Sequence, residues 1–223
     1  MNYYIDKLAA EQLKQCYEIA PARIQQYLHA EINYVCNHLK HTDIVLELGC
    51  GYGRILPMLA KHAKYVIGID TSYSSLVMGK EILKNHPNVF LLQMDAVDLA
   101  FVDQCFDAVV CIQNGISAFH VDRERLIQES VRVTRKRGTI LYSSYSDKFW
   151  GDRLRWFQLQ EEAGLLGKID LEKTKDGVIV CEDGFTATTI RPDEFLLLSS
   201  KFNLTTKIVE VDNSSVFCEM VRI

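Results

Sequence analysis

The sequence predicts an α/β fold, with a doubly wound, mostly parallel sheet flanked by helices, on three observations. Short apolar runs that stop at an acid or a glycine alternate with helical patterns, which calls for parallel strands joined by right-handed crossovers. The first run, 44–48, opens directly into Gly49-Cys50-Gly51-Tyr52-Gly53. The 223 residues, 48% of them hydrophobic, fit one domain with a full core.

Two helices come first. Over 6–19 and 21–39, Leu8, Leu13 and Tyr17, then Ile24, Tyr27, Leu28, Ile32, Val35 and Leu39, recur at spacings of three and four. Pro21 suits the first turn of the second helix, where its missing N–H costs nothing. Residues 44–48 form the first strand, and a helix follows the glycine turn to about His62, with Pro57 in or near its first turn. A second buried strand, 65–70, ends at Asp70, and Thr71-Ser72 caps a helix to about Asn85. The third strand, 89–93, ends at Met94-Asp95-Ala96, and the fourth, 106–112, at Gln113-Asn114-Gly115.

Asp122 caps a helix to about Lys136 that Gly138 ends, so Arg132, Arg135, Lys136 and Arg137 complement its dipole and 139–144 becomes the fifth strand. A further helix from Asp152 to about Gly164 carries Trp156, Phe157 and Leu159. Then the texture changes: 169–173, 178–181 and 185–190 read as short strands joined at Asp176-Gly177 and Asp183-Gly184, both hairpin turns. Residues 167–190 are therefore a β-hairpin insertion, expected beside a substrate entrance or a subunit interface rather than in the core. A helix from Pro192 to Phe202 and a closing hairpin, 205–211 with 216–221, complete a single domain over 1–223.

Composition narrows the function. A formal charge of −4 gives no electrostatic reason to bind nucleic acid. Seven cysteines, odd in number and without a Cys-x-x-Cys pair, argue against a zinc site or a disulfide framework and read as small buried hydrophobes, so no metal is expected. Without an 18-residue apolar run or a basic-then-apolar start, the expectation is a soluble cytoplasmic protein with no membrane partner.

In a doubly wound sheet, ligands bind outside the carboxyl ends of the strands where the winding reverses, here between strands one and four. Glu47, the glycine turn, Asp70 and Asp95 all fall at such ends. Glycine tolerates φ > 0 and lets a ligand lie on the backbone. The spacing is Gly-x-Gly-x-Gly, with Arg54 next, so the dinucleotide pattern fails. A carboxylate at Asp70 can accept from both ribose hydroxyls, each bond worth about 1.5 to 3 kcal/mol, although helix capping beside Ser72 would also explain it. NAD sites place an acid similarly, so Asp70 indicates an adenosine ligand without choosing the cofactor. Glu47 lies within the strand end, where an unpaired carboxylate is costly and a donor must face it.

With Glu47 two residues before the first glycine, the stretch 45–54 resembles the first motif of class I S-adenosylmethionine (SAM)-dependent methyltransferases. The resemblance runs from about 44 to 146 and more loosely to the end. It implies SAM as cofactor, S-adenosylhomocysteine as product, and a seven-stranded sheet of order 3-2-1-4-5-7-6 whose seventh strand is antiparallel. It also implies that the helices of 1–40 form a lid over the cofactor. Carried over residue by residue, it gives Glu47 to the methionine amino group and Gly49, Cys50, Gly51 and Gly53 to the cofactor backbone. Asp70 and Thr71 go to the ribose side, Asp95 to the adenine amino group with Ala96 beside the ring, and Gln113 to the loop where substrate and methyl group meet.

That loop, 113–120, lacks the Asn/Asp-Pro-Pro-aromatic signature of adenine and glutamine amino-methyltransferases, because Gly115 and Ile116 stand where the prolines would be. It also lacks the acid of the metal-dependent catechol type, so small-molecule methyltransferases of the class resemble it best. Tyr17, Arg23, Asn114, Tyr145 and Trp150 are candidate substrate residues, with Tyr3, Tyr4, Tyr142, Arg153 and Trp156 nearby. His120 is the candidate base, needed only if the nucleophile arrives protonated. The expected reaction is in-line methyl transfer to a small molecule, driven by orientation and exclusion of water, in a chain that can also form a homodimer. The competing readings are a nicotinamide-dependent reductase, which the glycine spacing and the C-terminal hairpin weigh against, and a non-catalytic SAM-binding protein.

Overall fold

The computed structural model describes Tyr3 and residues 7–223, so Tyr4 lies outside the described residues. Five strands run parallel: Ile44–Leu48 (β1), Tyr65–Asp70 (β2), Val89–Gln93 (β3), Phe106–Cys111 (β4) and Thr134–Tyr145 (β5). Leu204–Val211 (β8) and Ser215–Arg222 (β9) close the sheet as a hairpin, with β9 antiparallel to both β5 and β8. The order is β3-β2-β1-β4-β5-β9-β8. Once the small hairpin between β5 and β8 is set aside, this is the expected order, with the last strand inserted beside the fifth.

The central strands are buried on both faces, as parallel strands wrapped by helices must be: Val45, Leu46, Val66, Ile69, Val109 and Val110 are sealed from solvent. Ala10–Glu18 (α1) and Ala22–Cys36 (α2) precede the sheet, and Pro21 sits at the N-cap of α2. Tyr73–Ile82 (α4) starts at Ser72, whose Oγ accepts from the Ser75 N–H, and Arg123–Val133 (α6) starts at Asp122, whose carboxylate accepts from Glu124 and Arg125. Trp150–Glu162 (α7) follows a single 3₁₀ turn, and Pro192–Ser199 (α8) precedes the closing hairpin.

Three elements depart from the sequence reading. The helix after the glycine turn is one turn, Leu56–Leu59 (α3), instead of reaching His62, and residues Gly115–Ala118 (α5) form a helical turn inside the expected loop. The third departure concerns the basic run. Gln104 and Cys105 N–H donate to the carbonyls of Arg132 and Val133 (3.0 and 2.9 Å), so pairing captures the chain early and β5 begins at Thr134 instead of Thr139. Arg135 therefore closes no helix; its guanidinium holds the Asp107 carboxylate (2.6 and 2.7 Å).

The insertion is also corrected. Only Ile179–Val180 (β6) and Thr186–Ala187 (β7) pair as strands. Far from lying outside the core, Ile179, Phe185 and Ile190 are at most 1% exposed. Ile179 and Phe185 join Leu8, Tyr27, Trp156 and Phe157 in an aromatic core built by α1, α2, α7 and the insertion. Arg153, expected at a pocket wall or in solvent, is fully buried there. Its guanidinium donates to the carbonyls of Gly177 and Ala187 (2.9 Å each) and to Thr189 Oγ1 (2.8 Å) and lies 4.2 Å from the Tyr145 ring centroid. It pins the insertion to α7. All cysteines except Cys105 are buried, in keeping with their reading as small hydrophobes.

Candidate functional site

A cavity of about 190 Å³ opens at the carboxyl ends of β1, β2 and β3. Its floor is the glycine turn. Gly49 and Cys50 N–H both donate to the Ile69 carbonyl (2.9 Å each), folding the chain back over β2. Gly49 has φ +74°, and a Cβ there would run into the Phe119 ring. Gly53, also at positive φ, serves a different purpose from the one expected. A Cβ on it would stand 2.6 Å from Leu83 Cδ1, so it admits the end of α4 and does not line the cavity.

Asp70 ends β2 on the cavity wall. Its Oδ2 accepts from the Gly51 N–H and its Oδ1 from the Ser72 N–H (2.8 Å each), while the cap of α4 is Ser72 Oγ. The carboxylate thus ties the glycine turn to the N-terminus of α4 through two backbone donors, and each oxygen keeps a further lone pair. Burial raises its pKa and the backbone donors oppose that rise.

Glu47 is 6% exposed, and its Oε2 has no hydrogen-bond partner. Burial pushes its carboxyl up to about 8; the charge of Arg54 pulls it down and that of Asp70 pushes it up. An orphaned buried carboxylate costs free energy until a donor arrives, so the site is built for a cationic or N–H group. Thr71, Asp95 and Ala96 complete the far wall with Met94. Asp95 is exposed, and its Oδ1 accepts from the Val97 N–H (3.1 Å).

The cavity continues into a smaller one of about 60 Å³, and the two share Leu8, Leu13, Tyr17 and Gln113. Tyr17 thus sits on α1 where the two cavities meet, and Tyr145 lines the smaller one. Other expected substrate residues are placed elsewhere. Arg23 pairs with Asp212 (2.5 Å) and stacks on Phe149, tying α2 to the β8–β9 turn. Asn114 is spent on Thr188 and Ser144: its Nδ2 donates to the Thr188 carbonyl (2.9 Å) and its Oδ1 accepts from Ser144 Oγ (2.7 Å). Trp150 lines a separate depression with Arg153, Gly177 and Arg191. Tyr142 is buried against Ser130, its hydroxyl 2.8 Å from Ser130 Oγ. His120, at φ +53°, is exposed in another depression beside Asp122 and Arg123, so the base role loses its geometric support; Phe119 takes the cavity wall.

Two residues that sequence reasoning passed over are central. Arg54 donates to Gln113 Oε1 (2.5 Å) with its guanidinium 4.1 Å from the Tyr17 ring centroid. It had been used only to reject a dinucleotide, although its place directly after the glycines was the signal. Glu31 is fully buried, and its Oε2 accepts from the Gln113 backbone N–H (2.8 Å); burial pushes its carboxyl up to about 7. Its signal was an acid four residues from both Tyr27 and Val35 on an otherwise apolar helix face.

Comparison with known proteins bears on the family and the fold. A family model described as a methyltransferase domain matches residues 45–138. A phosphatidylethanolamine N-methyltransferase of Cereibacter sphaeroides is 37% identical over 100 residues, covering 44% of this chain and 48% of that protein. A ubiquinone biosynthesis O-methyltransferase of Coxiella burnetii is 28% identical over 146 residues, 63% of this chain and 56% of that protein. The chain thus spans about half the length of the curated relatives it matches. Among solved structures, the N-methyltransferase NodS of Bradyrhizobium japonicum, crystallised with S-adenosylhomocysteine, superposes with a TM-score of 0.64 at 13% identity, covering 97% of this chain and 99% of that one. Among the described residues, no helix is long and apolar enough to cross a membrane.

Proposed function

Because residues 45–138 carry the methyltransferase domain of the class I SAM-dependent family, we propose that this chain transfers a methyl group from SAM to a small-molecule acceptor. The observation that carries the reading is the pair of acids at the strand ends. Asp70 is held open by two backbone donors, and Glu47 is buried without a partner, which suits a ligand bearing a ribose diol at one end and an ammonium at the other. The residues present therefore fit SAM. Asp70 would hold the ribose hydroxyls, Met94, Asp95 and Ala96 would flank the adenine, and Glu47 would pair with the methionine ammonium, since all five line the cavity.

When bound, SAM supplies an electrophilic methyl carbon on a sulfonium, and its transfer leaves a thioether. The chain's own share is orientation and dryness. Leu8, Leu13 and Tyr17 of the N-terminal segment roof the cavity and act as its lid, and the Ala10 N–H donates to Ser75 Oγ (2.9 Å), fastening that roof to α4. Arg54 and Gln113 fix the junction between the two cavities. Holding the reactants in line and excluding water accounts for much of such a rate without a metal or a covalent intermediate.

Calorimetry with SAM, S-adenosylhomocysteine and NADH tests the cofactor, followed by mass analysis of small metabolites incubated with SAM. Saturable binding of the first two and none of NADH is expected. A preference for NADH would overturn the reading.

A further inference from the structure

The turn after β4 is strained and is held from outside itself. Gln113 and Asn114 both adopt left-handed backbone, φ +56° and +64°, although neither is glycine. Side chains enter that region at a cost and persist there only where their surroundings hold them. Asn114 is held by its own amide, which bonds the Thr188 carbonyl and Ser144 Oγ. Gln113 is held by its backbone: its N–H donates to Glu31 Oε2 and to Ser143 Oγ, 2.8 Å each.

Glu31 reaches that N–H from α2, 82 residues earlier in the chain, and is fully buried. An apolar side chain of similar volume would fill its place at less cost. What only a side-chain oxygen supplies there is an acceptor for the Gln113 N–H. Glu31 itself lines neither cavity, whereas Gln113 lines both.

From Gln113 the contacts run on into the cofactor cavity. Its Oε1 accepts from Arg54 (2.5 Å), and the guanidinium lies 4.1 Å from the Tyr17 ring centroid. Burial raises the carboxyls of Glu47 and Glu31, and the charge of Arg54 opposes the rise in both. A turn of Gln113 away from this geometry withdraws the oxygen that fixes Arg54, and with it the charge that favours an ionised Glu47.

We propose that Glu31 is a positioning residue for cofactor binding: through the Gln113 N–H it sets the left-handed turn after β4, and that turn fixes Arg54 against Tyr17 beside the cofactor. It acts as a hydrogen-bond acceptor rather than as a charge. This rests on the methyltransferase reading and adds to it a residue outside both cavities.

The test measures S-adenosylhomocysteine affinity of the full chain by calorimetry, so no acceptor is needed. Glu31→Leu removes the acceptor and should weaken binding about threefold to tenfold, the worth of one hydrogen bond. Glu31→Gln keeps an oxygen for the N–H and should bind within about twofold of the unaltered protein. Arg54→Lys keeps the charge but loses the planar fork, so in that background Glu31→Leu should cost less than about twofold more. A residue that only stabilises the fold would lower the melting temperature and leave affinity alone in either background. Three results would each overturn the proposal: unaltered affinity in folded Glu31→Leu, equal losses in Glu31→Gln and Glu31→Leu, or an undiminished loss in the Arg54→Lys background. If Glu31→Leu does not fold, Ser143→Ala removes the other acceptor of the same N–H and should show the same dependence on Arg54; unaltered affinity there would overturn it too. Failure of the unaltered protein to bind S-adenosylhomocysteine would instead overturn the cofactor reading.

Discussion

The two cavities meet at Gln113 and are built on opposite plans. Around the larger one, the acids come from strand ends and are oriented by the turns that follow β1 and β2: Asp70 accepts from the backbone N–H groups of Gly51 and Ser72. Around the smaller one, the walls come from α1, α2, α7 and the insertion, and Cys16, Trp156 and Phe185 meet only because the chain returns from more than a hundred residues away. The first plan fixes a constant ligand by backbone geometry. The second shapes its space by packing, so side-chain exchange can change what fits without disturbing the strand ends.

The comparison breaks if damage to the aromatic region costs as much cofactor affinity as damage to the strand ends. Phe185 is buried and touches the core that α1 shares with the insertion, so Phe185→Ala should lower stability by about 3 to 5 kcal/mol in denaturant titrations. Folded protein of this variant should still bind S-adenosylhomocysteine. A loss of affinity equal to that of the Asp70 variant would show the two regions to be one.

Asp70→Ala removes charge-assisted bonds worth about 1.5 to 3 kcal/mol each, so S-adenosylhomocysteine should bind one to several orders of magnitude more weakly, with circular dichroism unchanged. Unaltered affinity would reduce Asp70 to a stabiliser of the glycine turn.

Glu47 sharpens the contrast through pH. Its folded pKa, about 8, lies above the ordinary carboxylate value of 4.5, so the folded state binds more protons than the unfolded state between those values. Its contribution to the ligand-free protein is therefore present at low pH and falls as pH rises from about 4.5 to about 8. Melting temperatures of Glu47→Gln should lose that part of the decline. If the methionine ammonium pairs with the carboxylate, binding near neutral pH should release protons, seen as a dependence of binding heat on buffer ionisation enthalpy. The Gln variant should abolish it, and persistence of the release would assign the proton elsewhere.

The smallest effect belongs to His120. It is exposed and lines neither cavity, so His120→Ala should change turnover of any identified acceptor by less than about twofold. A larger loss, with the pH profile flattened, would return it to the mechanism as the base.

The aliphatic runs, the three glycines and the acids at the strand ends were enough to specify a parallel sheet and the end of it where a ligand binds, while its strand order was implied by the family resemblance. Each of those signals is a local pattern, an apolar run of fixed length or a turn that only glycine enters cheaply, and backbone sterics read it the same way in any surroundings. Arg54 was legible in position but not in role, because its partners Tyr17 and Gln113 lie far from it along the chain. The acceptor side was misread in the same way. Arg23, Asn114 and His120 had suitable chemistry, yet Arg23 and Asn114 are spent on Asp212, Thr188 and Ser144, and His120 faces away. The insertion, polar in sequence, is drawn into a core by Ile179 and Phe185. Whether a polar side chain faces a ligand or a neighbour depends on what tertiary packing brings within about 3 Å of it, a distance that sequence spacing does not encode.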